Sequence, residues 1–337
     1  MKRPALSIII PVYNMSGLLQ DCIDSVCRQT TDDYEIIIID DGSTDDTPEI
    51  IRRNAARLGD KLRTARQENR GQGAARNAGL SMANGDYVCF IDADDMLAGR
   101  ALETLLERAL SDGSDIVHCD YTYYYPDTGK QRGSSPDRIF AESLLVGAEC
   151  ERLLGMKYYY SVNNLYRAAF LAEHGIRYGD ERVYEDWVFI ARCANAAERV
   201  SLVDEPLYII RVNRSSVTHS GYGSDVHYQS FLAAIHGTAG AVKPRNRYTG
   251  YFLAKQFNDK MAAYYWKRVP RRLRAAFLRD FLAVMATVDI ELPPKGGDAV
   301  LRFLVKFRVP ERKRYTLYFC AMLFVSARTV LAKYMKG

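Results

Sequence analysis

The chain has 337 residues, 48% apolar and 26% charged, which places it in the ordinary globular class with core for one large domain or two and excludes a low-complexity chain. Its seven cysteines are scattered, odd in number and never in a C-x-x-C pair, so a disulfide framework is not indicated and a reducing, cytoplasmic setting fits. The net charge of +5 hides an asymmetry: from residue 226 onward there are 21 Lys/Arg and 6 Asp/Glu, a balance of +15, against −10 for the remainder.

The N-terminus runs straight into a β-branched stretch, with no signal-peptide apolar region. Leu6 to Val12 reads as a strand closed by Pro11 and Asn14, and Leu18 to Cys27 as a helix. Tyr34 to Ile39 is an apolar run broken only by Glu35, as expected for a parallel strand covered on both faces. It ends at Asp40-Asp41-Gly42-Ser43-Thr44-Asp45, where Thr44 is the expected N-cap, with Asp45 and Asp46 in the first turn. A short strand over Leu62 to Ala65 precedes a Gly/Ala-rich segment from Asn69 to Ala83. Tyr87 to Ile91 is another buried strand, ending at Asp92-Ala93-Asp94-Asp95. Leu97 to Leu110 reads as a helix, Asp115 to Cys119 and Tyr121 to Tyr125 as strands, Glu185 to Ala197 as a helix and Leu207 to Val212 as a strand. Helices are expected at 226–240, 248–267, 272–288, 299–307 and 312–335, with breaks at Pro244, Pro270, Pro293-Pro294 and Pro310.

Alternating strands and helices predict an open, mostly parallel α/β sheet with helices on both faces. Ligands bind such sheets beyond the carboxyl ends of the strands, and the polar clusters after Val12, Ile39 and Ile91 all fall there. Asp92 and Asp94 leave their strand two residues apart and project to one side, where their repulsion is relieved by a hard cation such as Mg²⁺ or Mn²⁺. A solvated acidic turn is the bland alternative. The Asp40-Asp41-Gly42-Ser43 cluster can accept from a base or a ribose hydroxyl, although helix capping alone explains Ser43, Thr44 and Asp45. Arg70 and Arg76 offer guanidinium groups to a diphosphate. No G-x-G-x-x-G follows the first strand, and the P-loop pattern is absent.

Pro11-Val12-Tyr13-Asn14, Ile39-Asp40-Asp41-Gly42-Ser43-Thr44-Asp45, Arg76-Asn77-Ala78-Gly79, Asp92-Ala93-Asp94-Asp95 and Glu185-Asp186-Trp187 together resemble the ordered motif set of family 2 glycosyltransferases, of the bacterial cell-surface polysaccharide type, with the GT-A fold. The resemblance covers roughly residues 5 to 220. It implies that Pro11, Tyr13, Asn14 and Asp41 contact the nucleoside of a sugar nucleotide, UDP-linked by default, with Arg76, Asp92 and Ala93 in the same donor site. Asp94 would ligate Mn²⁺ or Mg²⁺ with Asp92 beside it, and Asp186 would be the general base of an inverting transfer, with Glu185 and Trp187 on the acceptor side. The dipole of the helix they open also favours Glu185 and Asp186, and Trp187 also suits a core position. The family closes a polar loop over the diphosphate; Arg211 and His219, in a segment with Arg214, Ser215 and Ser216, are its candidates here.

On this reading residues 1–222 form the nucleotide-sugar transferase domain and 223–337 a basic helical region. Tyr315 to Ala327 is too short to span a bilayer, which needs about 20 residues. Flanked by Arg312-Lys313-Arg314 and Arg328, it suits either a buried helix or a peripheral contact with the anionic inner face of the plasma membrane, which would bring the site to a lipid-linked or saccharide acceptor. The tail lacks a zinc pattern or an aromatic RNA-binding signature, so nucleic acid is not an expected partner. A haloacid-dehalogenase-type phosphatase would leave Asp40-Asp41 and the Pro11 to Asn14 turn without work. A processive polysaccharide synthase would bring a Q-x-x-R-W motif, which this chain lacks.

Overall fold

The computed structural model of the chain describes residues 3–133, 143–155, 160–179, 184–213, 225–241, 271–273 and 276. Its frame is laid by two strands, β1 (Leu6–Val12) and β2 (Tyr34–Asp40), in which every residue is buried. Ile36 to Ile39 are 0% exposed, and each such side chain contributes about 1.5–3 kcal/mol of burial, enough to fix these strands while the loops beyond them stay polar. Helix α1 (Leu19–Cys27) follows β1, and α2 (Thr47–Leu58) joins β2 to β3 (Leu62–Arg66). The small-residue helix α3 (Gln72–Met82) leads to β4 (Tyr87–Phe90). A Cβ on Gly79 would lie 2.4 Å from Ile9 Cγ2, so only glycine lets α3 sit this close to β1.

Beyond β4 come β5 (Met96–Leu97), α4 (Ala101–Asp112), β6 (Ile116–Tyr125), the exposed β7 (Lys130–Gly133) and β8 (Leu144–Val146). Strand β9 (Asn164–Arg167), α5 (Ala168–Glu173), α6 (Glu185–Ala196) and β10 (Arg199–Arg211) complete one sheet in the order β3-β2-β1-β4-β9-β6-β10-β5. The first four strands run parallel. Strand β9 enters antiparallel between β4 and β6, and β10 lies parallel to β6, so the flanked sheet is mixed. Two sign changes across β9 leave β6 and β10 pointing the same way as β1, and their carboxyl ends share one edge with it.

Three expectations are corrected. Leu97 does not open a helix: it pairs with Tyr208 in β5, and α4 starts at Ala101. Thr44 does not cap α2, because its N–H donates to Asn14 Oδ1; the helix begins at Thr47, whose N–H is taken by Asp45 Oδ1. The strand expected from Leu207 begins at Arg199 and absorbs Pro206 through register shifts between Val203 and Tyr208. Cys22, Cys89, Cys119, Cys150 and Cys193 are buried and Cys27 half-buried, all as free thiols. The first C-terminal helix, α7 (Asp225–Ala241), packs on α6. The helices expected at 248–267, 299–307 and 312–335 lie outside the described residues, as does nearly all of that at 272–288.

Candidate active site

Three loops meet at the carboxyl edge of the parallel strands. Pro11 stands two residues past Ile9, the last β1 residue paired with β4, where a missing N–H costs least. Tyr13 follows, 41% exposed. Asn14 adopts φ 51°, a left-handed conformation that Asn tolerates better than most residues. Its N–H donates to Ser43 Oγ (2.9 Å) and its Oδ1 accepts from Thr44 N (2.8 Å), tying the loop after β1 to the loop after β2. Asp41, 4% exposed, accepts from Gln67 Nε2 (2.7 Å), Arg70 N (2.9 Å) and Gly71 N (2.8 Å), and so holds the loop that enters α3. The intervening Gly42 has φ 83°, and a Cβ there would meet Asn69 N at 3.0 Å.

The Asp92–Asp95 turn is the electrostatic centre. Asp95 N–H donates to Asp92 O (2.9 Å), and Ala93 is buried beneath. Burial, and then the charge of Asp92, raises the Asp94 carboxyl to about 6. Asp95 is raised well above the usual carboxylate range by burial and by both neighbours. It is held from behind by Tyr208 Oη (2.8 Å) and Arg211 N (2.8 Å).

The decisive side chain is Arg76, 3% exposed, on the inner face of α3. Nη2 donates to Asp92 Oδ1 and Nη1 to Glu185 Oε1, each at 2.6 Å, and the guanidinium lies 5.0 Å from the centre of the Tyr178 ring. Its Nη2 also donates to Gln72 Oε1 (3.4 Å), and its Nε has no hydrogen-bond partner among the described residues. Close approach is possible because α3 opens with small residues: a Cβ on Gly73 would lie 2.7 Å from Gly179 O and 3.0 Å from Glu185 Cβ. Burial raises Glu185 to about 7 despite the arginine, whereas Arg76 keeps its charge because Asp92 supplies a second anion. Just before Glu185, Tyr184 takes φ 67°, a strained conformation for an aromatic residue, and turns the chain into α6. Asp186 therefore opens its helix one residue from a group that is bonded, through a single arginine, to the Asp92 turn.

The family model described as Glycosyl transferase family 2 matches residues 7–175, which span β1 to α5. The chain belongs to this family. Among its relatives, the glycosyltransferase EpsH of Bacillus subtilis (strain 168) is 32% identical over 262 residues, covering 74% of this chain and 73% of EpsH. The structure of S. aureus TarS 1–349 in complex with UDP-GlcNAc matches over 98% of this chain and 92% of TarS, with TM-score 0.73 and 22% identity. A mannosyltransferase from Pyrobaculum calidifontis, in complex with GDP-Man and Mn²⁺, has the same fold at TM-score 0.57 and 18% identity over 98% of this chain and 88% of that one. The GT-A fold and glycosyltransferase activity expected from the motifs are therefore those of this glycosyltransferase.

Three expected site residues have partners within the protein. Glu185 is buried and accepts from Arg76 Nη1. Trp187 packs at 4.9 Å from Tyr184 and 5.7 Å from Phe231 of α7, which makes it part of the α6–α7 contact. Arg211 braces the turn from its side chain: its Nη2 donates to Asp21 Oδ2 (2.8 Å) and its Nε to Asp94 O (3.0 Å), with the side chain 9% exposed. His219 lies outside the described residues. Asp95 and Tyr208 were not singled out by the sequence; the third acidic residue of Asp92-Ala93-Asp94-Asp95 was the available signal.

Among the described residues no group of three or more His, Cys, Asp or Glu converges as a metal-binding set. The turn nevertheless suits a hard divalent cation. Its donors are carboxylate oxygens, and Asp94 carries a charge that burial and Asp92 disfavour and a cation would stabilise. Mg²⁺-type ions take one or two protein carboxylates and complete their shell with water and substrate phosphates.

Proposed function

We propose that this glycosyltransferase moves a sugar from a nucleoside-diphosphate sugar, UDP-linked, to a hydroxyl of a saccharide or lipid-linked acceptor in polysaccharide synthesis, with inversion at the anomeric carbon. The observation that carries this reading is the Arg76 bridge, which joins the Asp92 turn to Glu185, the residue before Asp186 at the start of α6. Tyr13, exposed after the end of β1, offers its ring to the nucleoside, and Asp41, which holds the loop into α3, is its expected partner in that contact. Asp94, with the second oxygen of Asp92, would hold Mn²⁺ or Mg²⁺, which when bound supplies Lewis-acid stabilisation of the departing diphosphate. Arg76 keeps Asp92 fixed through its Oδ1, and Arg211 holds the main chain of Asp94. Asp186 takes the proton of the acceptor hydroxyl as that oxygen attacks the face opposite the leaving group, so one positioned carboxylate suffices.

The UDP-GlcNAc held by TarS supports a UDP-linked donor, and the Mn²⁺ held by the mannosyltransferase supports the metal. No helix among the described residues is long and apolar enough to cross a membrane, and the +15 balance after residue 225 provides an electrostatic route to an anionic leaflet. A thermal-shift panel of nucleotides with and without Mn²⁺ tests the donor assignment. Stabilisation by UDP only with metal is expected; no shift across the panel would count against it.

A further inference from the structure

Strand β10 touches the catalytic turn at three places. Tyr208 Oη accepts the Asp92 N–H (3.2 Å) and donates to Asp95 Oδ2 (2.8 Å). Arg211 N–H donates to the other oxygen, Asp95 Oδ1 (2.8 Å), and Arg211 Nε donates to Asp94 O (3.0 Å). The turn is thus gripped at the main chain of its first and third residues and at the carboxylate of its fourth. Tyr208 is 1% exposed and Asp95 6%, so water cannot replace either partner. The contacts are non-local: 116 residues separate Tyr208 from Asp92, and 113 separate it from Asp95.

Two features of β10 deliver these groups. Its register against β6 shifts twice, between Val203 and Pro206 and between Pro206 and Tyr208, which re-aims the strand just before the tyrosine. Past that point Tyr208 and Ile209 pair antiparallel with Leu97 and Met96, the strand that directly follows the turn. Both ends of the turn are therefore fixed: Asp92 by a hydroxyl, and the residues after Asp95 by a ladder.

We propose that Tyr208 is a positioning residue of the transfer reaction, one that sets the Asp92–Asp94 carboxylates for a divalent cation by locking Asp95 and the Asp92 amide in a single arrangement. The inference rests on the donor-site reading above for its functional part; the lock itself does not. Tyr208 touches neither donor nor acceptor and acts only through the turn. Loss of its oxygen would leave Asp92 N–H and Asp95 Oδ2 without their partner, and the carboxylates would sample positions that a cation cannot bridge. Outer partners of metal ligands commonly contribute 10–100-fold to metal affinity, so about that loss is expected.

The test compares wild type, Tyr208→Phe, Asp95→Asn and the double variant. Amide hydrogen exchange followed by mass spectrometry reads the turn without ligand, and calorimetry reads UDP affinity with and without Mn²⁺. Tyr208→Phe should speed exchange over residues 89–98 while peptides covering β1 and β2 keep wild-type rates. It should weaken Mn²⁺-dependent UDP binding ~10–100-fold and leave the metal-independent component unchanged, a split that general destabilisation would not produce. Asp95→Asn should act in the same direction, and the double variant should lose less than the sum of the two singles, because both perturb the shared Tyr208–Asp95 bond. Wild-type exchange over 89–98 in both single variants, or unchanged Mn²⁺-dependent affinity, would overturn the proposal. A wild type without any Mn²⁺-dependent UDP binding would contradict the donor-site reading instead, and the exchange measurement would then decide the lock by itself.

Discussion

Replacing Arg76 with Met separates what its charge does from what its stem fills. The guanidinium is 3% exposed and donates to Glu185 and Asp92 at 2.6 Å each. Methionine keeps much of the apolar stem but strands a buried carboxylate. Removing one member of a buried pair costs about 3–5 kcal/mol. Glu185 limits the damage by keeping its proton, because burial raises it to about 7 even beside the arginine. The cost therefore falls near the lower end, about 3 kcal/mol. For a domain of roughly 150–250 residues this lowers the unfolding midpoint by about 6–12 °C, read by calorimetry at pH 7. The double variant Arg76→Met/Glu185→Leu removes both charges and should recover most of that loss, since apolar replacement of a whole buried pair is often neutral. It should not recover Mn²⁺-dependent UDP binding, because Asp92 still lacks its partner. A single variant within about 2 °C of wild type, or a double variant with full nucleotide affinity, would refute the bridge as described.

Glu185→Gln tests the same buried group through pH. Burial raises the native carboxyl above its unfolded value, so between the two the folded chain holds a proton that the unfolded chain has shed. The contribution of Glu185 to stability should therefore be full below its unfolded value and be lost as pH rises through the folded one, so the fall in stability over that range should be shallower in Glu185→Gln in denaturation series. Asp186→Asn should lower transfer by about 10²–10⁴-fold while UDP affinity in Mn²⁺ stays at the wild-type value; retained turnover would exclude Asp186 as the base. In liposome flotation with anionic vesicles, full-length protein should float and protein ending at residue 310 should not. Equal flotation of both would remove the last predicted helix from any membrane role.

The parallel half of the fold was legible because β1, β2 and β4 are mainly apolar runs, interrupted only by Ser7 and Glu35, that each end in acids or turn formers, and burial on both faces demands that pattern. The carboxyl-edge location of Asp41 and of the Asp92 turn followed from the same rule. Strand β9 was not legible: Asn164–Arg167 is four residues long, and its place between β4 and β6 is set by partners dozens of residues away. The reach of β10 back to Arg199 was hidden by Asp204, Glu205 and Pro206, which a regular strand would reject but a register shift accommodates. In the site, Arg76 was found as a candidate and given a different task. Short-range pattern suggested a diphosphate ligand; the fold closes it on Glu185, 109 residues away. Asp41 shows the opposite limit, since acceptance from two backbone N–H groups leaves no trace in side-chain pattern. Tyr208 resembled any core tyrosine until β5 and β10 brought its hydroxyl to the turn.

The central claim is that Asp94 couples a divalent cation to donor binding. Calorimetric titration of UDP into wild type and Asp94→Ala, with Mn²⁺ and with chelator, measures that coupling directly. We expect Mn²⁺ to tighten UDP binding to the wild type and to leave Asp94→Ala at its metal-free affinity. An equal Mn²⁺ enhancement in both proteins would contradict the account.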